Sequence, residues 1–182
     1  INEIANLCDA VGADVRSVAH GMGLDDRIGA KFLQPGPGYG GSCFPKDVRA
    51  LKHLGETVGV PLQILAATTA VNTERQALPY RRLVESLGSL HGKRIAVWGL
   101  AFKPGTDDIR DAPALELLKR CLADGADVVA YDPLVKRLAQ EFSSVAMSVS
   151  ALHAVADVDA LVVMTDWPEF SQIDRSSIVR GM

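Results

Sequence analysis

Arg94-Ile95-Ala96-Val97-Trp98, closed by Gly99, is the run on which the fold turns. It is too short for a helix and lies between glycine turn signals, so it predicts a buried strand. The pattern returns twice downstream. Asp127-Val128-Val129-Ala130-Tyr131 is stopped by Asp132-Pro133, and residues 160–164 form another apolar run. Helical spacing fills the intervals at about 112–123, ending at Gly125, and at 134–142 and 151–156, with a short strand expected over 145–149. Strands alternating with helices of this length predict βαβ units in a parallel sheet. Ligands of such sheets bind outside the carboxyl ends of the strands, here residues 99–103, Asp132-Pro133 and 165–167.

Upstream of a boundary at residues 88–92 the period is helical. Ile4, Leu7, Cys8 and Val11 recur on one face up to Gly12, and Asp14 caps a short helix over 15–20 that stops at Gly21-Met22-Gly23. A loop fills 31–43. A helix over about 46–58 follows, with Val48, Leu51 and Leu54 on one face. A longer helix is expected from Pro61 to about Leu87, with Leu62, Leu65, Ala66, Thr69 and Ala70 making a face suited to close packing, within the chain or between subunits. The fold class is α/β, a helical region followed by a Rossmann-like parallel sheet.

Net charge of -3 and a pI near 5.8 leave no basic footprint for nucleic acid or an anionic membrane. No apolar run reaches the ~20 residues that span a bilayer. Cys8, Cys43 and Cys121 are widely spaced, without metal-ligand spacing, which points to a reduced, cytoplasmic setting and no metal. Ile1 opens within a helical pattern and is not Met, so the chain is expected to be cut from something longer.

Chemistry concentrates in Pro35-Gly36-Pro37-Gly38-Tyr39-Gly40-Gly41-Ser42-Cys43-Phe44-Pro45-Lys46-Asp47. Glycine at this density leaves main-chain amides free and lets a ligand approach the backbone. Cys43 just precedes a helix, where the dipole and Lys46 favour a thiolate nucleophile; Asp47, one turn on, can orient water or move a proton. The plainer alternative is a glycine-rich turn with an incidental cysteine. A serine-hydrolase elbow is weakly suggested by Gly40-Gly41-Ser42, but G-x-S-x-G is absent. A second constellation, residues 99–110, follows the first strand where a phosphate-binding turn would lie. It lacks G-x-G-x-x-G yet offers Lys103 and Arg110 as cations for a pyrophosphate. A solvated loop with a capping Asp is its alternative.

Gly41-Ser42-Cys43-Phe44-Pro45-Lys46-Asp47, Gly99-Leu100-Ala101-Phe102-Lys103-Pro104-Gly105-Thr106-Asp107-Asp108-Ile109-Arg110 and Asp25-Asp26-Arg27-Ile28-Gly29-Ala30-Lys31-Phe32-Leu33 together resemble the UDP-glucose/GDP-mannose dehydrogenase family, over essentially the whole chain and in the family's order. The resemblance implies two oxidations of a sugar-nucleotide C6, each consuming one NAD, with a cysteine that holds the aldehyde as a thiohemiacetal and then a thioester. By that resemblance Cys43 is the nucleophile and Asp47 handles water. Lys46 and Arg110 lie near the cofactor. Phe32, Leu33, Tyr39, Gly40, Phe102 and Lys103 hold the UDP-sugar, and Arg27 reaches it from the partner subunit of a homodimer built on the helix from Pro61. Residues 1–88 would then be the central helical, dimerising region, and residues 89–182 a C-terminally truncated UDP-sugar-binding domain. The family's NAD-binding domain, the catalytic Lys and Asn leading into Ile1, and an Asp-x-Arg-Asn region are not among these residues, so the chain alone is expected to be inactive. Phe44 and the Asp-Arg-Ile-Gly run favour UDP-glucose over GDP-mannose and over N-acetylated sugars. A non-catalytic nucleotide-sugar-binding or dimerisation module is the competing reading.

Overall fold

A computed structural model describes residues 1–182. Four helices come first: α1 (Asn2–Val11), α2 (Val15–Gly23), α3 (Phe44–Thr57) and α4 (Gln63–Leu87). Asp14 caps α2 as its position suggests, its carboxylate accepting from the Arg16 and Ser17 amides at 3.0 and 3.2 Å. The long helix starts two residues later than expected. Leu62 is its N-cap, which leaves Pro61 outside the first turn, while Pro79 is accommodated within it.

Four parallel strands follow, β1 (Arg94–Trp98), β2 (Asp127–Tyr131), β3 (Ala146–Met147) and β4 (Ala160–Val163), in the order β3-β2-β1-β4. Helix α5 (Pro113–Ala123) crosses from β1 to β2, and α6 (Ala151–Ala154), α7 (Pro168–Ser171) and α8 (Arg175–Gly181) complete the chain. Ile95, Val97, Trp98, Leu117, Leu118 and Val128 are fully enclosed. Each such side chain contributes about 1.5–3 kcal/mol of burial. Trp98 donates its ring N–H to the Ala151 carbonyl at 3.0 Å and packs 5.0 Å from the Phe170 ring. Tyr80, Leu83, Val84 and Leu87 press the last turns of α4 onto this core. Strand β4 lies at the sheet's edge, and a groove of about 700 Å³ runs between it and α4.

One expected helix does not form. Residues 134–142 are not a helix: Asp132 turns the chain by accepting from the Leu134 and Val135 amides, Ala139 is extended, and only Gln140–Phe142 makes a single 3₁₀ turn. The apolar rows of α1 and α3 are largely open to solvent. Leu7, Val11, Leu51, Leu54 and Val58 are all half exposed or more, and only Ala5 and Cys8 of α1 are buried. No helix is long and apolar enough to cross a membrane.

Candidate active site

The cysteine loop is held from beneath by α4. Asn72 accepts the Tyr39 amide at 2.7 Å and returns its own amide N–H to the Tyr39 carbonyl at 3.2 Å, which Gln76 also reaches at 3.1 Å. Arg75 donates Nε–H to the Gly36 carbonyl at 2.7 Å, and the Gly36 amide bonds Asn2 Oδ1 at 3.0 Å. Burial lowers the Arg75 pKa, opposed by the charge of Asp9. None of these clamps was singled out from the sequence. Their signal is a polar stripe, Asn72, Arg75 and Gln76, at three- and four-residue spacing on a helix.

From above, the loop lies against residues 99–112. Gly41 has φ +85° and an added Cβ would stand 2.8 Å from the Phe102 ring; at Gly40 an added Cβ would overlap the Asp111 carbonyl. Gly40 is therefore required by close approach, and Gly41 by close approach as well as by backbone conformation. The Gly41 amide donates to the Arg110 carbonyl at 2.8 Å. Asp111, itself at φ 48°, takes Arg49 of α3 in an ion pair at 2.9 Å.

Helix α3 begins at Phe44, two residues earlier than expected, so Cys43 is itself the N-cap. Its thiol is exposed, with Ser42 Oγ 3.7 Å away. A helix N-terminus presents unpaired amides to negative charge. The Asp47 amide closes the first turn on the Cys43 carbonyl at 2.8 Å, and the Asp47 carboxylate sits 3.3 Å from Lys46 Nζ. Arg110 places Nε and Nη2 on Asp108 at 2.9 and 2.7 Å. That fork holds the Asp108 pKa down at about 2. It raises the Arg110 pKa in turn, with a further contribution from the charge of the nearby Cys43.

Most of the residues singled out from the sequence converge here. Phe44 meets Phe32 edge-on at 6.5 Å and Tyr39 at 6.1 Å. Phe102 lies on Gly41 and carries Lys103 Nζ 5.4 Å above its ring. Leu33 closes a turn on the Ala30 carbonyl. Arg27 stands apart: its side chain is 89% exposed and forks onto Asp25. The turn after β1 is not an open phosphate cradle, because the Leu100 and Ala101 amides both donate to the buried Asp132 carboxylate.

Two models of one family match the chain. They are the central domain and the UDP binding domain of the UDP-glucose/GDP-mannose dehydrogenase family, over residues 1–74 and 96–182. The chain belongs to that family. It is 45% identical over 176 residues to a UDP-glucose 6-dehydrogenase of Rhizobium meliloti, covering 96% of this chain and 40% of that protein. It is 46% identical over 190 residues to one of Pseudomonas aeruginosa, covering 100% and 42%. A solved UDP-glucose dehydrogenase from Pyrobaculum islandicum superposes with a TM-score of 0.91 at 36% identity, over 95% of this chain and 40% of that one. The chain thus spans about 40% of the length of the relatives it matches. Within the UDP-glucose/GDP-mannose dehydrogenase family, its matched parts are those that contain the cysteine loop and the parallel sheet.

Proposed function

We propose that this chain supplies the nucleophile and the sugar-nucleotide site of an NAD-dependent UDP-glucose 6-dehydrogenase. The observation that carries the reading is the exposed thiol of Cys43 at the N-terminus of α3, in a loop clamped against Phe102 and Arg110 of the sheet. Cys43 sulfur adds to the carbonyl carbon of the C6 aldehyde, and the thiol proton passes to the new hydroxyl oxygen. The aldehyde is thereby retained between the oxidations. After the second oxidation C6 is bound to sulfur as a thioester. Asp47 orients water against the acyl carbon; the C–S bond breaks, giving the carboxylate and the free thiol.

NAD would accept the hydride in each oxidation. The sheet fits it poorly, since the amides that would face its pyrophosphate are occupied by Asp132. Exposed Lys46 and Arg110 beside the thiol are what this chain offers the cofactor. Phe32, Leu33, Tyr39, Gly40, Phe102 and Lys103 are assigned to the UDP-sugar, and Arg27, exposed and away from the loop, to the site of a partner subunit. We divide the chain at residues 1–88 and 89–182 and place the homodimer contact on α4, whose Ile64 is 82% exposed. Three unpaired cysteines suit a cytoplasmic setting.

The test uses the full-length protein that contains this chain. NADH must form from UDP-glucose and NAD, and Cys43→Ser must end turnover while UDP-glucose binding persists. Turnover by the Cys43→Ser protein, or activity of the unaltered protein on GDP-mannose but not on UDP-glucose, would overturn the reading. The 182-residue chain alone is expected to make no NADH.

A further inference from the structure

Asp132 is the one carboxylate sealed inside the sheet domain, 1% exposed at the carboxyl end of β2, and the chemistry above does not use it. No cation pairs with it. Five N–H groups do. Oδ2 accepts from the Leu100 amide at 2.8 Å, the Ala101 amide at 3.2 Å and the Trp167 ring at 3.1 Å; Oδ1 accepts from the Leu134 and Val135 amides at 2.9 Å each. Three strand-end segments, after β1, β2 and β4, are therefore tied to one side chain. Amide donors hold a carboxylate ionised in a dry site, and the Asp132 pKa is lowered although burial works to raise it.

The segment after β1 continues directly into Phe102 and Lys103. The Ala101 carbonyl is pinned by Thr165 Oγ1 and the Phe102 amide by the Asp108 carbonyl at 3.1 Å. We propose that Asp132 is a positioning residue for sugar-nucleotide binding. Its carboxylate fills the amide cradle at the β1 turn with the protein's own anion. It thereby keeps the ligand's diphosphate out of that turn, and sets the backbone that aims Phe102 and Lys103 at the ligand beside the cysteine loop. This rests on the assignment of Phe102 and Lys103 above.

Asp132→Asn tests it, because an amide nitrogen must then face two or three N–H donors and the loops cannot all be held. Asp132→Asn and Trp167→Phe would be made in the full-length protein, and UDP-glucose titrated calorimetrically alongside a thermal melt. Positioning predicts a Kd for UDP-glucose raised roughly tenfold or more for Asp132→Asn with binding stoichiometry intact, since each 1.4 kcal/mol lost is a tenfold change. Trp167→Phe keeps the ring's packing and removes a single donor, so about a threefold rise is expected, on the scale of a modest hydrogen bond. A merely structural residue would lower Tm and stoichiometry while leaving Kd unchanged in the folded fraction. That result, or an unaltered Kd for Trp167→Phe should Asp132→Asn not fold, overturns the proposal. Failure of the unaltered protein to bind UDP-glucose would instead sink the assignment of the site.

Discussion

The amide of Gly41 donates to the carbonyl of Arg110 at 2.8 Å, joining the cysteine loop of the helical region to the loop that leaves β1. The contact is possible only because neither Gly40 nor Gly41 carries a Cβ. It makes the two halves of the chain share the walls of one site.

Gly40→Ala should therefore cost more than its size suggests. The methyl meets the backbone at Asp111, which cannot rotate away, so a loss of roughly 1–3 kcal/mol is expected. Chemical denaturation would show it. The rate of Cys43 alkylation should change in the same variant, and an unchanged melt and rate would show that the loop tolerates a side chain at this position.

Thiol accessibility separates the three cysteines. Cys43 is exposed while Cys8 and Cys121 are buried, and burial with the nearby Asp124 charge pushes the Cys121 thiol up to about 11. A thiol reagent should titrate one cysteine quickly in the native chain and three after unfolding. Cys43→Ser should abolish the fast phase alone.

Asp108 gives a pH signature. Its pKa is held at about 2 by the Arg110 fork against an ordinary 3.8, so its contribution is complete above the ordinary value and lost as pH falls through about 2. Arg110 is largely exposed, and the effect will be modest. In denaturant midpoints the gap between the wild-type protein and Asp108→Asn should be constant near pH 6, narrow below about pH 4 and close only at about pH 2 and below. A gap that persists there would show the variant acts by another route.

Leu117→Ala removes a side chain with no exposed surface beneath the sheet. A loss of about 3 kcal/mol is expected from the cavity and the lost transfer energy. The cysteine loop should keep its alkylation rate in the folded fraction, because no residue of the loop belongs to the core cluster around Leu117 or to the residues packed against it.

If α4 is the contact between subunits, Ile64→Glu should convert a dimer to monomers in sedimentation velocity. Ile64 is 82% exposed, so the fold itself should survive with little change in melting temperature. A dimer that persists would move the contact elsewhere.

The strands were legible because short apolar runs between glycines have few other solutions. Residues 94–98 and 127–131 form strands with the bounds their sequence implies. The apolar rows of α1 and α3 were legible as faces, but periodicity does not say what covers a face, and most of these residues are open to solvent here. Residues 134–142 misled because their apolar spacing suits a helix. Asp132 instead diverts the first two amides into a turn, and Val135 and Phe142 reach the core without one. Within the site, the reactive loop could be read from local composition. Its clamps could not, because Asn72, Gln76 and Arg110 act on it across more than thirty residues of chain.

Strand β4 reads Ala160-Leu161-Val162-Val163, uncharged and without proline; it is an edge strand, and its residues 160–162 line the groove beside α4. Unprotected edges of that composition template one another. Handled at high concentration as a separate piece, the chain will tend to self-associate through this side, and its solubility will be governed there. A lysine placed at exposed Val163 is the modification that would keep it dispersed.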